Sequence, residues 1–309
     1  MLMGAANAES GPWTVGRLLA WTREYLQRHD LDSPRLCAEL LLCHAMGCER
    51  IHLYTQHEAI PNAEVLGNFR AAVRAAAAGR PIAHLTGIKE FFSLAFEITP
   101  DVLIPRPETE LLVERAIDLV RHSAGQIRTI LDLGTGSGCI AVALARNLSD
   151  VALYASDVSE SALAVARRNA ERHGVQERIS FVQGDLFEAW AANTDTPELK
   201  FDLIVSNPPY VATAPDTPVA DDVRQYEPHV ALFAGPEGLD VVRRIVARAP
   251  EHLAAGGHLL MEIAFDQSAA LRELLHAAHW RDMATYPDPA GHERVVYARS
   301  RAGDRVALT

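Results

Sequence analysis

The sequence predicts an α/β protein in which a small helical bundle precedes a doubly wound, mostly parallel sheet. Two observations support this prediction. From about residue 129 onward, short apolar segments alternate with amphipathic segments of helical period. That order is typical of parallel strands joined by right-handed helical crossovers. Before residue 80, helix signals alternate with chain breakers, and no comparable strand pattern occurs.

The composition is that of a globular protein. The chain has 309 residues, of which 49% are hydrophobic and 22% charged, enough for about two domains of roughly 100–200 residues. Its net charge of -11 disfavours general attraction to nucleic-acid phosphates. No apolar run reaches the roughly 18–20 residues that span a bilayer, and the first ten residues lack signal-peptide features. We therefore expect a cytoplasmic protein without direct nucleic-acid or membrane contacts.

Helix signals organise residues 1–80. Thr14, Ser33 and Asn62 each precede a segment with apolar residues at helical spacing. Ser33 followed by Pro34 is a typical N-cap with proline at the first helical position. We expect three or more short helices that form one bundle.

Residues 81–106 are predicted to be a connector that contains a β-hairpin. The segments 91–99 and 101–105 are short, apolar and rich in strand-forming residues. Pro107 and Glu108 then begin a helix that continues through residues 111–120. Residues 107–309 are predicted to form the α/β domain.

The α/β domain contains seven strand segments. The first five alternate with helices, including a helix near 238–254. The last two flank an Asp-Pro-Ala-Gly-His turn, so we expect an antiparallel pair at the far edge of the sheet. The seven segments begin near residues 129, 152, 179, 201, 258, 283 and 293.

A glycine-rich turn follows the first of these strands. Residues 132–138 are Asp-Leu-Gly-Thr-Gly-Ser-Gly and lead directly into a helix. Glycines let the backbone approach a ligand closely. No Lys-Ser/Thr follows, as a P-loop requires, and Cys139 fits the dinucleotide fingerprint imperfectly. The alternative is a tight turn without a ligand. The candidate ligand-binding residues are Gly134, Thr135, Gly136, Ser137 and Gly138.

Three more polar turns follow the next strands. The second strand ends at Asp157, whose carboxylate can accept hydrogen bonds from both hydroxyls of a ribose, although such a residue taken alone is more often a helix N-cap. The third strand ends at Asp185 and the fourth at Asn207. Because the carboxyl ends of parallel strands open into one crevice, the four turns together predict a single ligand site.

The most specific feature of the chain is the tetrapeptide Asn207, Pro208, Pro209 and Tyr210. The two prolines stiffen the backbone and donate no hydrogen bond. The Asn207 side-chain carbonyl and the Pro208 backbone carbonyl together form two acceptors, which complement the two hydrogens of a planar NH2 group. Tyr210 offers a flat face for stacking. The alternative is an ordinary proline-rich loop end. We predict that Asn207 and Pro208 are catalytic and that the whole tetrapeptide binds the substrate.

The tetrapeptide suggests a chemistry. A planar amide or aryl-amine nitrogen is a poor nucleophile, and accepting hydrogen bonds from both its N–H groups orients it and stabilises the positive charge that develops during attack. Together with the glycine turn and Asp157, this suggests in-line transfer from a sulfonium methyl donor, without a strong base. No metal is expected, because the spacing of Cys37, Cys43 and Cys48 matches no zinc pattern.

These residues resemble the class I S-adenosylmethionine-dependent methyltransferases, and the tetrapeptide resembles the subset that methylates planar amino or amide nitrogens. Five further motifs are similar to the bacterial release factor glutamine N5-methyltransferases, the HemK or PrmC family. The resemblance covers roughly residues 12–300. The five motifs are residues 81–87, 89–92, 102–110, 226–228 and 231–239.

The resemblance implies a Rossmann-like methyltransferase sheet and S-adenosyl-L-methionine as donor, with S-adenosyl-L-homocysteine as product. It implies that residues 134–138 bind the methionine part of the donor, Asp157 its ribose, and Asp185 with Leu186 its adenine. Asn207 is expected to touch both donor and substrate. The implied substrate is the glutamine of the Gly-Gly-Gln motif in class 1 peptide chain release factors, whose methylation modulates translation termination. The helical domain is expected to help bind that protein.

Other functions stay open. A sister enzyme methylates a glutamine of a ribosomal protein, although Arg-Pro-Glu-Thr-Glu at 106–110 favours the release factor branch. A DNA adenine-N6 methyltransferase uses a similar tetrapeptide on a flipped base, but clustered basic residues would be expected. A non-enzymatic binding protein and a serine hydrolase are the remaining alternatives, and the chain contains no Gly-x-Ser-x-Gly elbow. Three positions depart from the family pattern: His84, Ser93 in place of a common glycine, and Ala264 in place of a usual glycine, which is expected to narrow the donor pocket.

Overall fold

The structure, a computed structural model, describes residues 11–191, 199–214 and 216–301. The chain divides into two compact units, of which the first ends at Gly87 and the second begins at Ile88. Residues 81–87 thus lie in the first unit and the hairpin lies in the second. The division into three parts, with boundaries after residues 80 and 106, stays a prediction.

The first unit is a helical bundle, as predicted. Thr14 and Asn62 cap two of its helices, because their side-chain oxygens accept hydrogen bonds from the backbone N–H groups of Arg17 and Val65. Apolar side chains such as Leu18 form one buried core. The helices are α1 (Val15–Gln27), α2 (Pro34–Met46), α3 (Arg50–Thr55), α4 (Ala63–Ala77) and α5 (Ile82–Thr86).

The predicted capping role of Ser33 is wrong. Pro34 takes the first position of α2, as expected, but Ser33 has a left-handed backbone with φ +50° and its side chain makes no capping hydrogen bond. A capping residue normally has an extended backbone that points its side chain at the free N–H groups. The left-handed conformation of Ser33 prevents this.

The hairpin begins three residues earlier than its pattern predicts. Its strands are β1 (Ile88–Phe91) and β2 (Leu94–Glu97), and residues 101–105, which begin with a turn and a bend, join no sheet. Phe92 and Ser93 form the turn, with φ values of +51° and +59°. Such turns usually contain Asn or Gly. Because Phe92 is apolar, the sequence of this segment resembles one continuous strand, and the turn was not predicted. Ser93 stands where the resembling family commonly has the glycine that this conformation favours.

The second unit contains the predicted seven-stranded sheet, in the order β5-β4-β3-β6-β7-β9-β8. The first five strands in sequence order run parallel, and the last two pair antiparallel at the edge, which confirms the predicted fold class. The strands are β3 (Thr129–Leu133), β4 (Ala152–Asp157), β5 (Ile179–Gln183), β6 (Phe201–Ser206), β7 (Leu253–Glu262), β8 (Arg281–Pro287) and β9 (Glu293–Arg299).

Helices alternate with these strands. Strand β3 has β4 on one side and β6 on the other, so the order of the sheet reverses beside β3. In doubly wound sheets, ligands bind at such a switch point, outside the carboxyl ends of the strands. The helices are α6 (Glu110–His122), α7 (Cys139–Asn147), α8 (Glu160–Arg172), α9 (Glu188–Ala191), α10 (Asp221–Tyr226), α11 (Asp240–His252) and α12 (Ser268–Ala277).

Candidate active site

A cavity of about 340 Å³ lies at the carboxyl ends of β3, β4, β5 and β6. All four polar turns that the sequence analysis singled out contribute to its lining. Three of the predicted site residues, Gly138, Pro208 and Tyr210, are not among the lining residues. The predicted residues that line it are Gly134, Thr135, Gly136, Ser137, Asp157, Asp185, Leu186, Asn207 and Pro209.

The glycines of the turn have two different tasks. Gly134, Gly136 and Gly138 all have positive φ, at +76°, +55° and +80°. A Cβ atom on Gly134 or Gly136 would point into open space, so these two glycines keep the floor of the cavity free of side chains. A Cβ atom on Gly138 would lie 3.0 Å from the Cβ of Ala166. Gly138 therefore allows α7 to approach α8 closely.

The buried carboxyl group of Asp132 holds the glycine turn in place through two hydrogen bonds. Its Oδ2 accepts a hydrogen bond from the Thr135 hydroxyl at 2.6 Å and one from the backbone N–H of Ala141 at 3.2 Å. Burial raises the pKa of Asp132 to about 7, although these hydrogen bonds oppose the rise. The Thr135 hydroxyl therefore donates its proton to a hydrogen bond within the glycine turn.

Asp157 joins two ligand-facing segments. Its Oδ2 accepts a hydrogen bond from the N–H of Gly136 and its Oδ1 accepts one from the N–H of Ser159, both at 2.9 Å. Ser159, not Asp157, caps helix α8 through a bond from Ala162 N–H. Burial raises the pKa of Asp157, and the backbone N–H donors oppose this shift. Each carboxylate oxygen keeps a lone pair for a further donor.

Asp185, in the turn after β5, forms an ion pair with Arg244 of α11 at the cavity. Arg244 donates from Nη2 to Oδ2 of Asp185 at 2.7 Å, and both residues line the cavity. Leu186 has φ +50°, which is rare for a residue with a side chain. Arg244 was not predicted as a site residue, because a partly exposed arginine on a helix gives no local signal of a binding site.

Asn207 lies directly after β6, and a hydrogen bond holds the nitrogen end of its side-chain amide. The amide nitrogen Nδ2 donates to the hydroxyl of Thr109 at 3.1 Å. Thr109 is 2% exposed and lines the same cavity. In the described part of the chain, Oδ1 of Asn207 has no hydrogen-bond partner. The side chain therefore offers an acceptor at the cavity.

Tyr210 is anchored by a buried carboxyl group at the end of β7. Its hydroxyl donates to Oε1 of Glu262 at 3.1 Å. Burial raises the pKa of Glu262 to about 7, and the hydrogen bond from Tyr210 opposes this. Within the described residues, Oε2 of Glu262 has no hydrogen-bond partner. Burial also raises the pKa of Tyr210. Ala264, which was expected to narrow the donor pocket, is not among the residues that line the cavity.

The segment before α6 forms another wall of the cavity. Val102 and Arg106 contribute to its lining. Glu227 is buried, and its carboxylate accepts from the backbone N–H of Ile104 at 3.0 Å and pairs with the Arg106 guanidinium. The Tyr-Glu-Pro motif at 226–228 therefore holds this segment in place, a role that the sequence analysis did not assign.

Asn169 connects the hairpin with the glycine turn. Its Oδ1 accepts from Glu97 N–H at 2.7 Å, and its Nδ2 donates to the carbonyls of Glu97 at 3.0 Å and of Ser137 at 2.9 Å. The side chain is fully buried on α8. Asn169 is polar and follows Arg167 and Arg168, so it was not predicted to be buried.

Neither a metal site nor a membrane span is found in the described ranges. Across residues 11–191, 199–214 and 216–301, no three His, Cys, Asp or Glu side chains are grouped so that they could hold a metal ion. Cys37 and Cys48 are half-buried, Cys43 is buried, and none of the three forms a disulfide within the described residues. That the reaction needs no metal stays a prediction. Within the same ranges, no helix has the length and apolar character needed to cross a membrane.

Comparison with protein families gives two matches. Residues 17–87 match the PrmC N-terminal domain, and residues 108–223 match the methyltransferase small domain. The fold resembles the N-terminal domain of human METTL16 in complex with SAH, with a TM-score of 0.51 at 20% identity over 74% of this chain and 83% of that chain. The fold also resembles the hMettl16 catalytic domain in complex with a MAT2A 3'UTR hairpin. That comparison gives a TM-score of 0.53 at 20% identity, over 75% of this chain and 84% of that chain. These likenesses show the fold alone. The sheet and the matched domain define a methyltransferase.

Curated relatives narrow this class to one family, because three of them are named release factor glutamine methyltransferase. The protein of Burkholderia pseudomallei is 44% identical over 91% of this chain and 96% of its own length. The protein of Geobacter sulfurreducens is 41% identical over 93% of this chain and 97% of its own length. The protein of Rhodopirellula baltica is 39% identical over 94% of this chain and 98% of its own length. The chain belongs to the release factor glutamine methyltransferase family.

Proposed function

We propose that the chain transfers a methyl group from S-adenosyl-L-methionine to the side-chain amide nitrogen, N5, of the glutamine in the Gly-Gly-Gln motif of class 1 peptide chain release factors. The observation that carries this proposal is the Asn207 amide. Its nitrogen is held by Thr109 while its oxygen is left as an acceptor on the cavity that the glycine turn also lines. This arrangement suits an acceptor that presents N–H groups.

The residues around the cavity fit the donor. Open space above Gly134 and Gly136 leaves room for its methionine part, and Asp157 has free lone pairs for two ribose hydroxyls. Asp185 and Leu186 provide a charged and an apolar contact for its adenine. When bound, S-adenosyl-L-methionine supplies a methyl group on a positively charged sulfur.

The acceptor nitrogen is activated by position and charge. Asn207 Oδ1 and the Pro208 carbonyl accept hydrogen bonds from its two N–H groups, which points the nitrogen lone pair at the methyl group. As the bond from nitrogen to the methyl carbon forms, the bond from that carbon to sulfur breaks and leaves its electron pair on sulfur, which gives S-adenosyl-L-homocysteine. The nitrogen becomes positive, and these two oxygens stabilise the developing charge. The amide loses its proton to water afterwards, so no side chain has to remove it before transfer.

The release factor substrate follows from family membership, and the helical unit is proposed to help bind it. An enzyme that acts on release factors works where translation takes place, so we assign the chain to the cytoplasm. Its net charge of -11 favours recognition of a protein over direct nucleic-acid contact.

Labelled donor tests this proposal against its alternatives. The purified chain is incubated with methyl-tritiated S-adenosylmethionine and, separately, a class 1 release factor, total ribosomal proteins and duplex DNA. We expect label in the release factor alone. Label in a ribosomal protein or in DNA adenine would instead support one of the other two substrates. Donor binding without transfer to any of the three would contradict the proposal.

A further inference from the structure

The carboxylate of Asp185 has one oxygen engaged and one available at the cavity. Arg244 donates from Nη2 to Oδ2 of Asp185 at 2.7 Å. Within the described residues, Oδ1 of Asp185 accepts no hydrogen bond. Because both oxygens belong to one planar carboxylate, holding Oδ2 also fixes the direction in which Oδ1 accepts. Asp185 can therefore offer a ligand one oriented acceptor.

The turn after β5 holds the backbone of Asp185 but not its side chain. The Asp185 carbonyl accepts from the backbone N–H of Glu188 at 3.1 Å. A Cβ atom on Gly184 would lie 2.6 Å from the backbone of Ala189, so the turn is closely packed. The Asp185 side chain is 45% exposed, and an exposed side chain moves between rotamers unless a partner holds it. Among the described residues, Arg244 is the partner that orients this carboxylate.

Helix α11 brings Arg244 to the cavity and keeps its neighbour Arg243 away from it. Val241 and Arg244 are three residues apart on α11, which places them on one face of the helix, and both line the cavity. Arg243 is equally exposed, but it pairs with Glu237 and Asp240 and is not among the lining residues. The two adjacent arginines therefore form a matched pair, of which one reaches the site.

Electrostatic attraction does not explain an arginine at this cavity. S-adenosyl-L-methionine has a net positive charge, since its sulfonium adds to an amino group and a carboxylate that balance each other. The described lining residues include two basic side chains, Arg106 and Arg244, and each pairs with a carboxylate, that of Glu227 or of Asp185. Pairing neutralises both positive charges. What Arg244 adds to the site is the orientation of Asp185.

We propose that Arg244 is a positioning residue of the donor site, which holds the Asp185 carboxylate so that Oδ1 accepts a hydrogen bond from the exocyclic amino group of adenine. This inference rests on the proposed adenine contact of Asp185 and extends it to α11. A carboxylate only accepts hydrogen bonds, so it complements an amino group and gains nothing from a purine that lacks one. Arg244 therefore contributes to the selection of adenine.

Calorimetry tests this role with two ligands, S-adenosyl-L-homocysteine and its analogue in which hydrogen replaces the adenine amino group. Neither ligand has a net charge, so loss of a positive side chain does not by itself favour one of them. We expect wild type to bind the adenine ligand about 10- to 100-fold more tightly, as is typical of a hydrogen bond to a charged group. Arg244→Ala should reduce this preference by about threefold or more, because the released Asp185 side chain spreads over three staggered rotamers.

Arg243→Ala is the matched control, and its preference should equal that of wild type. Thermal unfolding should show that both variants are folded. An Arg244→Ala protein with a preference within roughly 1.5-fold of wild type would overturn the inference. So would an Arg243→Ala protein that loses as much preference as Arg244→Ala, because a general loss of positive charge on α11 would then explain the result.

Asp185→Ala separates this inference from the proposed function. It should remove most of the preference for the adenine ligand. If Asp185→Ala keeps the wild-type preference, both the adenine contact of Asp185 and the role of Arg244 are wrong. If Asp185→Ala loses the preference and Arg244→Ala keeps it, the adenine contact stands and only the role of Arg244 is wrong. A loss in both variants of a protein that methylates no release factor would support the role of Arg244 and contradict only the proposed substrate.

Discussion

Asn207 and Asp157 face the same cavity with different tasks. Asn207 presents an acceptor oxygen at the cavity, and its amide nitrogen donates to the Thr109 hydroxyl. Asp157 uses both carboxylate oxygens to hold backbone N–H groups of Gly136 and Ser159, and still has lone pairs for a ligand. At the residue scale, the acceptor and donor ends of the site can therefore be tested separately.

Asn207→Ala should abolish most of the transfer and spare donor binding. The change removes one of two acceptors that stabilise charge on the nitrogen during attack, for which losses of about 100- to 1,000-fold in kcat are typical. Donor Kd, measured by calorimetry, should change by less than roughly fivefold. Turnover near the wild-type rate would show that Asn207 does not bind the acceptor.

Asp157→Ala should weaken donor binding. Loss of hydrogen bonds to a charged group predicts a decrease of about 1.5–3 kcal/mol, or roughly 10- to 100-fold in Kd. Since Asp157 also holds the N–H of Gly136, thermal unfolding without donor should be compared in parallel. An unchanged Kd would contradict the ribose assignment.

At the element scale, close backbone contacts fix the loop after β6. A Cβ atom on Gly238 would lie 2.3 Å from the carbonyl oxygen of Tyr210. Gln267 donates from Nε2 to the carbonyls of both Tyr210 and Gly238, at 3.1 and 3.2 Å. The segment before α11 and the loop before α12 thus hold the tetrapeptide in its place.

Gly238→Ala should move the tetrapeptide and slow transfer. Gly238 and Gly291 both have positive φ, at +71° and +87°, but a Cβ atom on Gly291 would meet nothing within 4 Å. Both alanine variants should lose about 1 kcal/mol in the free energy of unfolding from backbone strain. Only Gly238→Ala should lower kcat, by about tenfold or more, because displacements near 1 Å are costly for catalysis. Equal kcat in the two variants would contradict this role of the contact.

The strands and their polar turns were predictable because their signals are local. Apolar strands ending near Gly134, Asp157 and Asn207 predicted a doubly wound sheet with a crevice at the carboxyl ends of its strands. The residues behind the site gave no such signal, since Thr109 lies 98 residues from Asn207 in sequence and Asn169 lies 72 residues from Glu97. Pairs so distant depend on the finished fold. The hairpin turn was not predicted although its residues are adjacent in sequence. Phe92 is apolar and is typical of a strand, so the local sequence indicated a strand where the chain turns.

At the scale of the whole molecule, the chain consists of two compact units. The helical unit has its own apolar core, and the second unit has another that joins the central strands to α11 and α12. Every residue that lines the cavity lies at position 101 or later. The proposed donor site therefore lies within the second unit.

A chain of residues 88–309 should bind the donor and lose affinity for the protein substrate. Since the cavity lies in the second unit, donor Kd should stay within roughly threefold of the full chain. The KM for the release factor should rise by about tenfold or more, as expected when part of an interface is removed. An unchanged KM would show that the helical unit does not bind the substrate.

The most direct measurement is mass spectrometry of a purified class 1 release factor after incubation with the chain and S-adenosylmethionine. We expect a gain of one methyl group that fragmentation places on the side-chain amide of the Gly-Gly-Gln glutamine. A release factor carrying Gln→Ala at that position should gain nothing. A methyl group placed on any other residue, or found equally in the Gln→Ala protein, would contradict the proposed reaction.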